Sequence, residues 1–180
     1  MNITGGKYNS ISIKTADYQN IKPTLSKIRQ AVFNTISSLG EYKTFCDLFA
    51  GSGIMTFEAL SREFDVTSVE IDRKSTKIIQ ENAKKINEIF DLFNVDALKF
   101  LEKTDKKFDI IYIDPPYNSG LYEKVLERIN KNNILNENGI VILEKPFSLK
   151  TEINDFILIK EKVYSDKSIC YLRLRNKEIS

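Results

Sequence analysis

The stretch Thr44-Phe45-Cys46-Asp47-Leu48-Phe49-Ala50-Gly51-Ser52-Gly53 decides the fold. Thr44 to Leu48 reads as a buried strand, Gly51 to Gly53 as a turn, and the apolar residues through Leu60 as a helix. Small residues here let a ligand approach the main chain closely, with the free N–H groups of the new helix facing it. Working outward, Val66 to Val69 forms a second strand that ends in Glu70-Ile71-Asp72. Glu70 stands 17 residues after Gly53, near the separation at which a second-strand carboxylate accepts both hydroxyls of a ribose. A lone Gly-x-Gly is weak. Strand, glycine turn, helix, strand and terminal acid in this order is much stronger.

The rest of the chain extends the pattern. Ser75 to Asn87 is predicted as a helix, and Leu92 to Val95 as a third strand ending in Asp96-Ala97. Asp96 there either caps the next helix or accepts from an exocyclic adenine amine, with Ile71 as an apolar wall for the ring. The run Phe108 to Ile113 then reads as a fully buried strand. It ends in Asp114-Pro115-Pro116-Tyr117, whose prolines cannot donate to a sheet ladder and restrict the residue before them. Asp114 is thereby delivered to the carboxyl edge of a strand, where open α/β sheets bind ligands. Tyr122, Val125, Leu126 and Ile129 mark an amphipathic helix. Asn138-Gly139 turns into a strand over Ile140 to Leu143 that Glu144-Lys145-Pro146 stops. Two last strands, Phe156 to Ile159 and Ile169 to Leu174, flank a polar turn at Ser165-Asp166-Lys167.

The glycine turn admits two kinds of cofactor. A dinucleotide wants Gly-x-Gly-x-x-Gly, but the third position is Thr56, and no charged pocket for a pyrophosphate is evident. S-adenosylmethionine carries no phosphate and needs only close backbone approach, a ribose acid and an adenine slot.

Composition excludes much else. A chain of 180 residues with 42% hydrophobic and 29% charged content is ordinary for one soluble domain with a small appendage. It contains no histidine, which rules out His-dependent triads, His general bases and His metal ligands. No metal site is expected. No stretch suits a bilayer span or a signal-peptide core, and two cysteines fit a reducing cytoplasm. The formal net charge is only +2, yet Met1 to Lys43 holds Lys7, Lys14, Lys22, Lys27, Arg29 and Lys43 against Asp17 and Glu41. A solvated face or phosphate contact explains that concentration equally. Tyr8 and Tyr18 add faces that stack on bases or pack in a core. Residues 1–22 are expected to form a β-hairpin arm and residues 23–180 the main domain. Thr24 is a candidate cap for a helix striped by Leu25, Ile28, Val32, Ile36 and Leu39. Lys27 and Arg29 are expected off that stripe, and Gly40 to end the helix in a left-handed conformation.

Taken together, Asp47 to Gly53, Val69-Glu70-Ile71-Asp72, Asp96-Ala97 and Asp114-Pro115-Pro116-Tyr117 resemble a class I methyltransferase acting on amines. Gly5-Gly6-Lys7-Tyr8, the run Lys22-Pro23-Thr24 through Asn34, and Glu58-Ala59-Leu60-Ser61-Arg62 resemble the bacterial RsmD family more closely, across nearly the whole chain. Lys22 departs from the arginine that the family usually places before Pro-Thr; it keeps the charge but loses the planar fork. The resemblance implies a Rossmann-like, seven-stranded, mostly parallel sheet whose last strand is antiparallel. It implies S-adenosylmethionine at the glycine turn, with Asp47, Gly51 and Gly53 on the methionine side among Phe49, Ala50 and Ser52. Glu70 would bind the ribose, and Ile71, Asp96 and Ala97 would surround the adenine. Asp114, Pro115 and Tyr117 would face the target base, the N2 amine of a guanine in 16S ribosomal RNA. The arm and its neighbours Lys7, Tyr8, Lys14, Lys22, Thr24, Lys27 and Arg29 would hold RNA, on an assembling small subunit, with the enzyme a monomer.

The chemistry follows from the groups. An exocyclic amine is a poor nucleophile because its lone pair is delocalised into the ring. The Asp114 carboxylate and the Pro115 carbonyl are acceptors for its two hydrogens, which favours a more tetrahedral nitrogen. The base must leave any helical stack to reach the site, and Tyr117 is placed to stack on it. Two other readings stay open: a DNA methyltransferase acting on adenine or cytosine amines, and a non-catalytic RNA-binding subunit that keeps the cofactor fold.

Overall fold

The computed structural model describes residues 1–15, 24–116 and 119–175. The elements are α1 (Thr24–Leu39), β1 (Thr44–Asp47), α2 (Ile54–Ser61), β2 (Asp65–Val69), α3 (Arg73–Lys85), β3 (Asp91–Phe93), α4 (Ala97–Lys103), β4 (Phe108–Ile113), α5 (Tyr122–Lys131), β5 (Leu135–Pro146), β6 (Phe156–Tyr164) and β7 (Lys167–Leu174). The seven strands form one sheet in the order β3-β2-β1-β4-β5-β7-β6. β1 to β5 pair in parallel, whereas β7 runs antiparallel to both β5 and β6. The expected Rossmann-like sheet with a reversed last strand is the one observed.

Strand alternation divides the core in two. Phe45, Ile110, Tyr112, Ile140, Ile142 and Tyr171 face α1, α2 and α3. Cys46, Ile111, Ile113, Val141 and Leu143 face α4 and α5. Such period-two alternation within wholly apolar runs marks a sheet covered on both faces. The order reverses between β1 and β4, so the crevice at their carboxyl ends is the topological switch point.

Several local expectations change. β5 begins at Leu135, so Asn138-Gly139 lies within the strand, where the register against β4 shifts between Phe108 and Ile110. Gly40 does not take a positive φ; a Cβ there would lie 3.3 Å from the Tyr42 ring, so the glycine makes room for that ring. The arm expected as a β-hairpin makes one bridge, Asn2 to Ser12, within residues 1–15. Donors that a longer ladder would use go to α2 instead: Thr4 N–H to Glu58, Lys7 N–H to the Ser61 carbonyl, and Tyr8 N–H to Ser61 Oγ. Ile3 and Ile13 are buried in the α1–α3 half of the core, so this segment packs on the domain. Gly6 holds φ +76, and a Cβ there would sit 1.9 Å from the Ser61 carbonyl oxygen. Among the described residues, no helix is long and apolar enough to cross a membrane.

Candidate active site

The carboxyl ends of β1, β2, β3 and β4 open on a cleft of about 730 Å³. The turn after β1 supplies Asp47, Phe49, Ala50, Gly51 and Ser52; the later strand ends supply Glu70, Ile71, Asp96, Ala97, Asp114, Pro115 and Pro116. Gly51 takes φ +52, and a Cβ on it would meet nothing within 4 Å, so bare backbone faces open space. Its N–H donates to Glu70 Oε2 at 2.6 Å, while Glu70 Oε1 accepts the Asp72 N–H at 2.7 Å. Glu70 is thus aimed by backbone donors from two turns. Ile71 is 66% exposed, an apolar side chain left open at the cleft wall.

Three carboxylates here are committed to local structure. Asp72 and Asp96 cap α3 and α4, accepting the Ser75 and Lys99 N–H groups at 2.8 and 3.0 Å. The capping role anticipated for Asp96 is made, and the same residue lines the cleft. Asp47 accepts Thr56 N–H at 3.0 Å and Thr56 Oγ1–H at 2.7 Å, fastening the end of β1 to the first turn of α2. Burial pushes its carboxyl up to about 6, against the pull of the two Thr56 bonds. Gly53, expected on the methionine side, is not part of the wall. It precedes α2 with φ +78, and a Cβ there would meet Ile79 Cγ1 at 2.8 Å. It serves helix packing.

Asp114 stands between this cleft and a second cavity of about 260 Å³. Tyr112, Asp114, Ile54 and Met55 border both; Ile28, Val32, Arg29, Glu144 and Lys167 border only the second. Glu144 Oε2 accepts the Tyr112 hydroxyl and Oε1 pairs with the Lys167 ammonium. Burial, then the charge of Glu144, raises the Asp114 carboxyl well above the usual carboxylate range; Lys167 acts in the opposite direction. Burial and Glu144 likewise raise the Tyr112 hydroxyl. No sequence motif points to chemistry at Glu144, Lys167 or the Tyr112 hydroxyl. A signal existed for one of them: Ile140 to Leu143 followed by Glu144-Lys145-Pro146 repeats the syntax of Ile110 to Ile113 followed by Asp114-Pro115.

The basic residues divide. Lys7 pairs with Glu88 at 2.7 Å and lies 5.0 Å above the Tyr8 ring, whose hydroxyl donates to the same Glu88 at 2.6 Å. Lys14 pairs with Glu81 at 2.9 Å, and Lys27 is exposed on α1. Arg29, expected off the apolar stripe, is instead 5% exposed. It lies one turn before Phe33 and two before Ile36, so helical spacing carries it inside. There its Nε donates to Glu58 at 2.9 Å and its Nη2 to the Asn2 carbonyl at 2.8 Å. Lys22, Tyr18 and Tyr117 lie outside the described residues, as does the side chain of Thr24. No cluster of carboxylate and thiol groups suited to a metal ion occurs among the described residues.

This strand order, with a glycine turn after β1 and acids closing β2 and β4, defines the Rossmann-like class I methyltransferase fold. The chain belongs to the family described as Conserved hypothetical protein 95, which matches residues 1–173. Ribosomal RNA small subunit methyltransferase D of Buchnera aphidicola subsp. Baizongia pistaciae is 32% identical over 166 residues, 89% of this chain and 85% of its own. The Escherichia coli K12 protein of the same name is 28% identical over 165 residues, covering 89% and 83%. Among solved structures, the Escherichia coli protein yhhF superposes with a TM-score of 0.85 at 24% identity over 97% of each chain. The tRNA (uracil-54, C5)-methyltransferase of Pyrococcus abyssi, in complex with S-adenosyl-L-homocysteine, has a TM-score of 0.62 at 17% identity over 82% of this chain and 38% of its own.

Proposed function

We propose that the protein methylates the exocyclic N2 amine of a guanine in 16S ribosomal RNA on an assembling small subunit, using S-adenosylmethionine. The observation that carries this reading is the charge of the cleft. Its described lining includes Asp47, Glu70, Asp72, Asp96 and Asp114 and neither lysine nor arginine. Such a wall opposes a pyrophosphate and suits a cationic ligand. The residues fit the cofactor: the Gly51 backbone gives close approach, Glu70 is aimed for a ribose, and Ile71 and Ala97 give an apolar slot beside Asp96. When bound, S-adenosylmethionine supplies a methyl on a positively charged sulfur that leaves with the bonding electron pair. The names of the small-subunit relatives support ribosomal RNA as the acceptor.

The chain's own work is alignment and proton handling. Asp114 and the Pro115 carbonyl hold the two amine hydrogens, fixing the nitrogen toward the methyl. Alignment of this kind is worth up to about 7–11 kcal/mol. The nitrogen sheds one proton as it gains the methyl, and Asp114, with its raised proton affinity, takes it. A histidine base is unnecessary. Residues of the arm and α1, with Lys27 exposed beside them, hold the phosphates of the RNA.

The test supplies tritiated S-adenosylmethionine with unmodified 16S RNA, with small-subunit particles and with DNA, followed by nucleoside digestion. Label in N2-methylguanosine, highest with particles, is expected. Label only in DNA, or in N6-methyladenosine, would overturn the assignment.

A further inference from the structure

The smaller cavity has the composition of a slot for one planar base. Ile28 and Val32 of α1 and Ile54 and Met55 of α2 give it apolar sides, and Asp114, Glu144 and Lys167 give it a polar edge; Met1 and Arg29 also border it, with the Arg29 guanidinium committed to Glu58 and the Asn2 carbonyl. Sheet geometry puts those groups together. Tyr112 pairs with Ile142 across β4 and β5, Glu144 with Ile169 across β5 and β7, and Pro146 with Lys167. Counting by twos from Tyr112 and Ile142, Glu144 and Lys167 fall on the same face of the sheet. Because β7 is antiparallel, its first residue reaches the edge where β4 and β5 end. An acceptor base meeting Asp114 while the larger cleft is filled must come from this second side.

Resting on the amino-methyltransferase reading above, the geometry points to Glu144 and Lys167 as the residues that select guanine: Glu144 accepts its N1–H and Lys167 donates to its O6 while Asp114 holds the N2 amine. Glu144 is 6% exposed and accepts one bond on each oxygen, from Tyr112 and Lys167. A carboxylate offers about four lone-pair sites, so capacity for another donor remains. The polar edge therefore runs acceptor, acceptor, donor, against the donor, donor, acceptor order of guanine N2, N1 and O6. Adenine entering amine-first would aim its N1 lone pair at Glu144 and present a carbon to Lys167. Cytosine would aim its N3 lone pair at the same carboxylate. A site built around buried polar partners rejects a ligand that leaves them unmatched far more strongly than an apolar slot does. Asp114 alone accepts any exocyclic amine; the pair beside it supplies the choice.

The experiment uses the full chain and an RNA whose modified guanine has first been located in the wild-type product. A second RNA carries 2-aminopurine at that position, keeping the amine but offering a lone pair at N1 and no oxygen at C6. Wild type is expected to methylate it at least about 100-fold less efficiently than guanine, on the cost of mismatched base contacts. Glu144→Gln, whose amide donates to N1, and Lys167→Met, which loses the O6 contact, should each narrow that ratio by about tenfold or more. Melting temperature and calorimetric cofactor affinity, read on both variants, separate misfolding from lost selection. Equal wild-type efficiency on the two RNAs overturns the inference, as do variants that slow both RNAs by the same factor. Absence of N2-methylguanosine from the wild-type product would instead overturn the assignment on which it rests.

Discussion

Glu58 and Asp114 are both acids set beside the α1–α3 half of the core, and they are treated oppositely. Glu58 is 0% exposed and receives the Thr4 N–H and hydroxyl, Arg29 Nε and Arg62 Nη1 at 2.6 to 3.1 Å. Its charge is matched by two guanidiniums. Among the described residues Asp114 has no such shell: burial and the charges of Glu144, Lys167 and Asp47 act on it. One acid is finished by the fold and ties the arm to α1 and α2. The other borders two cavities, and on the function proposed above its acceptor capacity is met by the amine of the substrate. Saturation separates a structural carboxylate from a chemical one where burial alone does not.

That contrast can be broken from either side. Glu58→Ala removes the anion between the buried Arg29 and the partly exposed Arg62 guanidinium and is expected to cost about 3–5 kcal/mol, read as a lower urea midpoint; an unchanged midpoint would deny it the structural role. Asp114→Asn should have the opposite signature: transfer falling by roughly 10²–10³-fold, cofactor affinity largely kept, and melting temperature unchanged or higher. Gly6→Ala forces a side chain onto the Ser61 carbonyl at a left-handed position, at an expected cost of about 1–3 kcal/mol. Faster proteolysis within the first fifteen residues would report it. Lys7→Ala, removing one half-exposed pair with Glu88, should change stability by no more than about 1 kcal/mol. If Lys7 also meets phosphate, it should reduce the salt dependence of RNA binding by about one unit of slope.

The pH profile sharpens the same distinction. Burial and Glu144 hold Asp114 above the ordinary carboxylate range, so its ionised, acceptor form exists only above that raised value. kcat/KM, which reports groups of the free enzyme, should therefore fall on acidification at a higher pH than an ordinary aspartate near ~3.9 would impose. Glu144→Gln removes the neighbouring negative charge and should move that limb to lower pH. For stability the sign is reversed: a carboxyl whose folded value is raised favours the folded state at acid, and that contribution is lost as pH rises through the raised value.

The parallel part of this architecture was open to reading because each strand in it carries its own punctuation. Strand runs closed by Glu70, Asp96 or Asp114 announce both a strand and the end of it that opens on the cleft, and all three acids line that cleft. Less local features were hidden. Arg29 reads as solvent-facing by residue type, although its spacing from Phe33 and Ile36 puts it on the buried face. Gly53 and Gly51 belong to one motif, and only the packing of Ile79 and Phe57 against Gly53 sets the two apart. The Glu144–Lys167 pair joins residues 23 positions apart through an antiparallel register, which no motif spacing encodes. Likewise, the Gly5-Gly6 and Glu58-to-Arg62 signatures read as independent family marks, yet they are the two halves of one contact.

The reversal of β7 has an evolutionary side. At β2 and β3 the cleft edge is followed closely by α3 and α4, whose packing limits change. Lys167 instead closes the short Tyr164-to-Lys167 hairpin between β6 and β7, the last two strands in the sheet order. On the function proposed above, insertions or exchanges in that hairpin alter what stands beside the acceptor slot without disturbing α3 and α4 at the larger cleft.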